Sequence, residues 1–328
     1  MIVMLSAGLV GACGGGGGGQ NEVFVRTQLT INASNGVRLA KDVVAGAEVV
    51  SGSGSSAVLS AAETSSRGAF PGLRALTYDL ALNQLNAGIS DGAAITTAAT
   101  VTENCPGGGT RTINAIDKNN NGRFDAGDSG GITYNNCTVA GVAQNGTLGF
   151  DVISLQGNPD SVSSDWSFTF GFRFENLSFR SGAEGFSLNG GYNLAANYRA
   201  FSGVYRFVIA GARLSFASGA DTAQVVNFNF TETLASASSR RQVSYSYTHD
   251  SSEFAGSAIA VANVPFRGIE GFPPESGKLT IRGANGSRAV VEATGGGTAT
   301  IAIDANGDGD STDSMDRVVN GQWTQFFG

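Results

Sequence analysis

The sequence has few histidines and few charged residues, and basic residues are fewer than acidic ones. It has one His, and only 14% of its residues are charged, with 20 Lys and Arg against 27 Asp and Glu and a net charge of −7. A single imidazole leaves little scope for acid–base or zinc chemistry. The negative balance offers no basic surface to nucleic acid, so we expect no nucleic-acid partner. The low charge also excludes a coiled coil and a charge-rich disordered chain.

Proline is scarce too, whereas glycine is abundant. The 328 residues include 6 Pro and 48 Gly, and 41% are hydrophobic. The scarcity of proline excludes polyproline structure, and the lack of a regular glycine repeat excludes collagen. Abundant glycine instead favours a chain with many turns. A chain of this length and hydrophobicity is able to bury a sizeable core, in one large all-β domain or two smaller ones.

The N-terminus is an apolar run that ends in Leu9, Val10, Gly11, Ala12 and Cys13. Small residues before a cysteine resemble the lipobox of bacterial lipoproteins, in which the signal peptide is cut before a Cys that carries lipid. The glycine run at residues 14–19 is similar to the tethers of Gram-negative outer-membrane lipoproteins, and such a run is a flexible coil. Gly14 stands where an Asp would signal retention in the inner membrane, so the resemblance implies the outer membrane.

This resemblance sets the expected domain organisation. Residues 1–12 are a signal peptide, residues 13–22 are the lipidated Cys13 with its glycine-rich tether, and residues 23–328 are a β-rich body with a possible sub-boundary near 140–150. The acyl chains of Cys13 would hold the protein to outer-membrane lipid. Whether the body faces the periplasm or the cell surface stays open.

Two cysteines remain once Cys13 is assigned to lipid. An even number of cysteines in an oxidising compartment predicts a disulfide between Cys105 and Cys137. The alternative is a pair of free thiols.

The first part of the chain mixes strand and helix signals. Residues 23–31 read as a first strand, and residues 36–50 form another, less regular apolar stretch. Leucines at approximately helical spacing then follow Pro71, which suits a first helical turn, and they predict one helix near residues 70–87.

From Gly146 onward, strand follows strand. Residues 166–174 alternate one aromatic and one polar position, which predicts a strand with one apolar face. The alternation slips near Asn176, where a bulge or break is expected, and Asn285 with Gly286 marks a tight hairpin turn. We expect a mainly β fold, an antiparallel meander that forms a curved sheet, a sandwich or a soluble barrel. Its aromatic face is either the core or the lining of a pocket or contact surface.

One loop has the pattern of a cation site. Residues 117–128 resemble an EF-hand calcium loop without its two helices, with Gly122 at the sharp turn and Phe124 at the apolar anchor position. The oxygen ligands that this resemblance implies are Asp117, Asn119, Asn121, the backbone oxygen of Arg123, Asp125 and Asp128. Asp128 takes the place of the usual terminal Glu, which leaves the preference for Ca²⁺ over Mg²⁺ open.

A second loop repeats the pattern near the C-terminus. Residues 107–113 and 295–301 are related Gly-Gly-Gly-Thr segments, and each leads through a short strand to an acidic loop. The second loop resembles the acidic loops of thrombospondin type 3 repeats, which implies Asp304, Asn306, Asp308, Asp310 and Asp313 as ligands. Either Asp313 or Asp316 would supply the last carboxylate. The alternative for both loops is a polar turn, since turns favour Asp, Asn and Gly.

Residues 127–131 spell the Gly-Asp-Ser-Gly-Gly motif that surrounds the nucleophile of chymotrypsin-like proteases. That mechanism needs a histidine base before the serine, and His249 follows Ser129 instead. We expect no catalytic residue and interpret His249 as a surface or turn residue.

These patterns together favour a lipid-anchored envelope or cell-surface protein, stabilised by structural Ca²⁺ and a disulfide, that acts as a non-enzymatic interaction or structural module. The alternative is a carrier that binds an apolar ligand on the aromatic face. The protein partner or apolar ligand is unknown.

Overall fold

The computed structural model describes residues 26–52, 72–74, 76–78, 80–81 and 99–327. The fold is mainly antiparallel β, with 58% of residues in strands, so the predicted class is confirmed. The described residues form fourteen strands, all in one sheet. The strands are β1 Ala99–Asn104, β2 Thr110–Ile116, β3 Ser129–Val139, β4 Val142–Gln156, β5 Trp166–Ser181, β6 Glu184–Arg199, β7 Val204–Ser218, β8 Asp221–Ala235, β9 Arg240–Ser251, β10 Ser257–Ile269, β11 Ser276–Arg282, β12 Arg288–Gly295, β13 Thr298–Asp304 and β14 Arg317–Gln322.

The sheet is an unbroken meander in which every strand pairs with its neighbours in sequence. It is not closed, so of the three predicted forms it is the open sheet. Connections in a meander alternate between the two ends of the strands. We call the end that carries the β1–β2, β3–β4 and later odd-to-even connections the proximal end, and the other the distal end.

One long helix packs on the inner face of the sheet. Helix α1 spans Gly36–Ser51 and packs against β8, β9, β12 and β13. Residues 36–50 read in the sequence only as a less regular apolar stretch, so this helix was missed. Leu39, Val43, Ala47 and Val50 are buried at spacings of four, four and three residues, which is a helical period that the β-branched composition concealed.

The helix predicted near residues 70–87 is present at the described positions. Leu73, Arg74, residues 76–78, Leu80 and Ala81 are helical, while residues 82–98 lie outside the described residues. Within this helical segment, the Thr77 hydroxyl lies 2.7 Å from the Tyr192 hydroxyl, and the Tyr78 ring contacts Phe168 and Phe207. The segment thus covers β5 to β7. A short helix α2, Trp323–Phe327, follows β14.

The strand predicted for residues 23–31 is wrong for residues 26–31, and residues 23–25 lie outside the described residues. Gln28 forms only an isolated parallel bridge with Ser257. Residues 26–35, which we call the N-terminal segment, cross the proximal ends of the strands, and a chain that crosses strand ends has no continuous partner for a ladder.

The aromatic face of β5 is core. Trp166, Phe168, Phe170, Phe172 and Phe174 are buried among the inward side chains of neighbouring strands and the helices. The expected irregularity near Asn176 is present: the β5–β6 register shifts between Phe174 and Leu177. Asn285 and Gly286 adopt positive φ values of 56° and 81° in the turn between β11 and β12, as predicted.

Candidate metal sites

The loop of residues 117–128 joins β2 to β3 at the distal end. Its first and last carboxylates, Asp117 and Asp128, are each 1% exposed. Asp117 Oδ2 accepts from the Gly122 amide at 2.7 Å, and Asp128 accepts from the amides of Lys118 and Asp125 at 2.9 and 2.8 Å. Asp117 Oδ1 is buried and has no hydrogen-bond partner among the described residues. A buried carboxylate oxygen that lacks a donor is suited to a cation.

The other predicted ligands of this loop gather around Asp125. The Asn119 side-chain amide donates to both Asp125 oxygens at 2.8 and 3.1 Å, and the Asn121 amide also donates to Asp125. The oxygens of Asn119 and Asn121 accept from the backbone at Asn121 and Arg123 respectively. A cation would require rotation of these amides, so that oxygen replaces N–H beside the carboxylate.

The loop turns sharply at Gly122 and is attached to the sheet through Phe124 and two backbone hydrogen bonds. The Gly122 backbone has a φ of 77°, the left-handed conformation that suits Gly at the sharp turn. Phe124 is buried and its ring centroid lies 5.7 Å from that of Phe150. The Gly127 amide donates to the Val152 carbonyl, and the Val152 amide donates to the Asp128 carbonyl, which completes the attachment.

The second loop joins β13 to β14 at the proximal end. Asp304 is 1% exposed and accepts from the Gly307 and Gly309 amides at 2.6 and 3.1 Å, and Arg288 forms an ion pair with it at 3.0 Å. Oxygens of Asp304, Asp308 and Asp316 lie within 4.8 Å of one another.

Asp316 closes the second loop in the way that Asp128 closes the first. Its Oδ1 accepts from the Ala305 amide at 2.8 Å, as Asp128 accepts from Lys118, the residue that follows the first Asp of its own loop. Asp316 Oδ2 is buried without a partner among the described residues. The structure therefore brings Asp316, the alternative left open by the sequence, to the cluster.

The predicted ligands Asp308, Asp310 and Asp313 accept hydrogen bonds from within the second loop. Asp313 accepts from the Met315 amide at 2.8 Å and from the Asn306 side chain at 2.6 Å. Asp310 accepts from the Thr312 amide at 2.9 Å. Asp308 accepts from the Asp310 backbone and from the Asn306 side chain, and these bonds lower the pKa of its carboxyl. Asp308 is thus held in the anionic form that a cation binds.

The predicted disulfide is present between Cys105 and Cys137. It lies at the proximal end of the β2–β3 hairpin, since Cys105 precedes β2 and Cys137 lies near the end of β3. The acidic loop 117–128 lies at the other end of the same hairpin.

His249 is buried, so its interpretation as a surface or turn residue is wrong. It is 1% exposed in β9, and its Nε2 lies 2.8 Å from the Asp42 carboxylate of α1. A signal for this was present, because His249 continues the inward alternation of Val243, Tyr245 and Tyr247. Ser129, the serine of the protease-like motif, lies in β3, six strands away in the meander.

Sequence reasoning also missed a cluster of buried charges at the distal end. Glu232 of β8 forms ion pairs with Arg241 of β9 at 2.8 Å and with Arg74 of the helical segment at 3.1 Å. Arg241 also donates to the Ser51 carbonyl at 3.1 Å, at the end of α1. Glu232 follows the inward alternation of Phe228 and Phe230, which marked its direction in the sequence. The cluster joins both helices to the sheet.

No described helix is long and apolar enough to cross a membrane. The chain matches no family model, no curated protein and no solved structure with which it was compared.

Proposed function

We propose that this protein is a non-enzymatic structural or interaction module of the bacterial cell envelope. In this proposal, lipid on Cys13 anchors the chain to the outer membrane, and Ca²⁺ in the two acidic loops stabilises the body together with the disulfide. The observation that carries the calcium proposal is Asp117: its carboxylate is 1% exposed, and Oδ1 has no donor among the described residues. The repetition of the same closure in the second loop supports it.

The filled inner face favours a module over a carrier. Phe168, Phe170 and Phe172 are each at most 2% exposed, and the helical segment packs over β5 to β7. A pocket of about 200 Å³ does lie on the opposite face of β2 to β5, but Asn114, Thr133, Thr147, Arg173 and Glu175 make its lining polar. An apolar ligand finds little complementary surface there.

The burial of His249 favours a non-enzymatic role. Its Nε2 is occupied by Asp42, and Ser129 lies in a distant strand. A histidine that is enclosed and paired in this way is not positioned to activate that serine.

Thermal unfolding of the full-length chain in detergent, with Ca²⁺ and with a chelator, tests the calcium proposal. A ligand that binds only the folded state adds about 2.7 kcal/mol when its concentration is 100 times Kd. With an unfolding entropy of about 2.1 cal/mol/K per residue, we expect Tm to rise by about 4 °C for each occupied site. Asp117→Asn, which keeps the shape of the side chain, should remove the part of the rise that the first loop contributes.

Asp160→Asn is the matched control, because Asp160 is an exposed carboxylate in the β4–β5 connection. It should keep the full calcium response. An equal Tm in millimolar Ca²⁺ and in chelator would show that both loops are only polar turns.

A further inference from the structure

The N-terminal segment is attached to the proximal end of the sheet mainly through backbone groups. The Leu29 amide donates to the Ser257 carbonyl at 2.9 Å, and the Ala284 amide donates to the Leu29 carbonyl at 2.8 Å. The Ile31 amide donates to the Ser287 hydroxyl at 2.9 Å. The turn at residues 284–287 is therefore the platform on which this segment rests.

The second acidic loop lies against this platform. A Cβ on Gly307 would come within 2.8 Å of the Gly286 carbonyl carbon, so the two backbones touch. Arg288, which follows the platform, forms the ion pair with Asp304. A change in the position of the second acidic loop would therefore displace the turn at residues 284–287.

Residues next to the acidic cluster also contact the N-terminal segment and α1. Arg317 follows Asp316 and donates to the Ala33 carbonyl at 3.4 Å. Ile303 precedes Asp304 and packs on Gly36 at the start of α1, so closely that a Cβ on Gly36 would lie 2.7 Å from its side chain. Both ends of the loop therefore hold the chain where it enters the body.

The cluster has more negative charge than its neighbours neutralise. Asp304, Asp308 and Asp316 bring oxygens within 4.8 Å of one another, whereas a single ion pair among the described residues, that of Arg288 with Asp304, joins the cluster to a cation. Like charges at this separation repel, and a divalent cation converts the repulsion into attraction that draws the loop together. The buried, donorless Asp316 Oδ2 lies in the same cluster.

We infer that the cation site of Asp304, Asp308 and Asp316 is a clamp that holds the N-terminal segment on the sheet. This inference rests on the proposed calcium binding and adds a role for the second loop that the first does not share. Because the first loop lies at the distal end, its occupancy leaves the N-terminal segment unaffected. Ca²⁺ at the second loop fixes how the body is held on the chain that leads to Cys13.

Hydrogen exchange of the full-length chain in detergent, in CaCl₂ or in EGTA, tests the clamp at three amides. Those of Leu29, Ile31 and Ala284 should exchange about tenfold faster or more in EGTA, because opening of the segment exposes them. Asp308→Asn should reproduce the EGTA result in CaCl₂. Asp308 is exposed, so this variant removes a ligand without disturbing the core.

Asp125→Asn in the first loop is the matched control and should leave these three amides protected. Calorimetric titration with CaCl₂ should show two sites in the wild type and one in each variant. Two filled sites with unchanged exchange would overturn the clamp and leave the calcium proposal intact. No binding at the second loop would overturn the clamp, and no binding at either loop would overturn the calcium proposal as well. Even where a variant fails to fold, equal exchange of these amides in the wild type in CaCl₂ and in EGTA would overturn the clamp.

Discussion

At the residue scale, two carboxylate oxygens distinguish the acidic loops from ordinary polar turns. Asp117 Oδ1 and Asp316 Oδ2 are buried and lack donors among the described residues. An unsatisfied buried polar atom costs about 1–3 kcal/mol, and more when it is charged. Surface turns rich in Asp and Asn do not incur this cost, because water satisfies their oxygens. A bound cation removes it, which is the physical reason to expect metal here.

Glu48 is a second residue whose burial has a consequence. It lies on α1 near Arg241 and Glu232, and burial raises the pKa of its carboxyl, with Arg241 offsetting part of the effect. The folded protein therefore binds a proton at Glu48 over a pH range in which the unfolded chain has released it. The free energy of unfolding falls as pH rises above the ordinary Glu value of 4.5.

Glu48→Gln should remove this contribution. We expect the variant to be more stable than the wild type near pH 7 and to lose less stability between pH 4.5 and 7, because Gln has no proton to release. Urea unfolding at several pH values and constant Ca²⁺ measures the difference. Glu292→Gln, at an exposed site paired with Lys278, is the control and should follow the wild-type curve. Parallel curves for Glu48→Gln and the wild type would contradict the prediction.

At the element scale, the β2–β3 hairpin is fastened at both ends. The disulfide between Cys105 and Cys137 ties its proximal end, and the acidic loop with buried Phe124 holds its distal end to β4. Within the described sheet the hairpin lies next to the edge strand β1. Strands near an edge have fewer neighbours to keep their register, so covalent and ionic fastening is most useful there.

The variant Cys105→Ser with Cys137→Ser should lose about 3–4 kcal/mol of stability. This is the chain-entropy value for the closed loop, whose cysteines are 32 positions apart. The midpoint of urea unfolding checks it. Reductant should lower the wild-type midpoint and leave that of the double variant unchanged. Equal midpoints in the oxidised wild type and the double variant would show that the disulfide adds nothing.

Helix α1 shows why the sequence located an apolar segment at residues 36–50 but did not identify it as a helix. Residues 36–50 are rich in Val and Ala, and β-branched residues favour strands when burial pattern is ignored. The buried positions repeat with a helical period, and that period reflects packing against β8, β9, β12 and β13. Tertiary contacts overrode the local composition.

At the scale of the whole molecule, the sheet stays open because its inner face is covered by helices from its own chain. Helix α1 covers β8, β9, β12 and β13, while the helical segment covers β5 to β7. The N-terminal segment enters at the proximal end, where it meets the second acidic loop. The described chain therefore begins at the proximal end of the sheet.

Cys13→Ala should move the protein from the membrane fraction to the soluble fraction, because a lipidated Cys is the anchor in the proposed function. Cell fractionation followed by immunoblotting measures the distribution, and incorporation of labelled palmitate measures the acylation. Cys105→Ser is the control, since it changes a cysteine that is not the anchor. A Cys13→Ala protein that stays in the membrane fraction would contradict the anchor.

The sequence alone determined the β meander, the alternating aromatic strand, the bulge near Asn176 and the turn at Asn285, because alternation and turn chemistry are local properties. Its even pair of cysteines likewise predicted the disulfide that the structure shows. Only the tertiary structure decided that His249 meets Asp42, that Glu232 meets Arg74, and that Asp316 joins Asp304 and Asp308. These contacts depend on how distant segments or the ends of a long loop approach in space. Sequence spacing carries no direct measure of that approach.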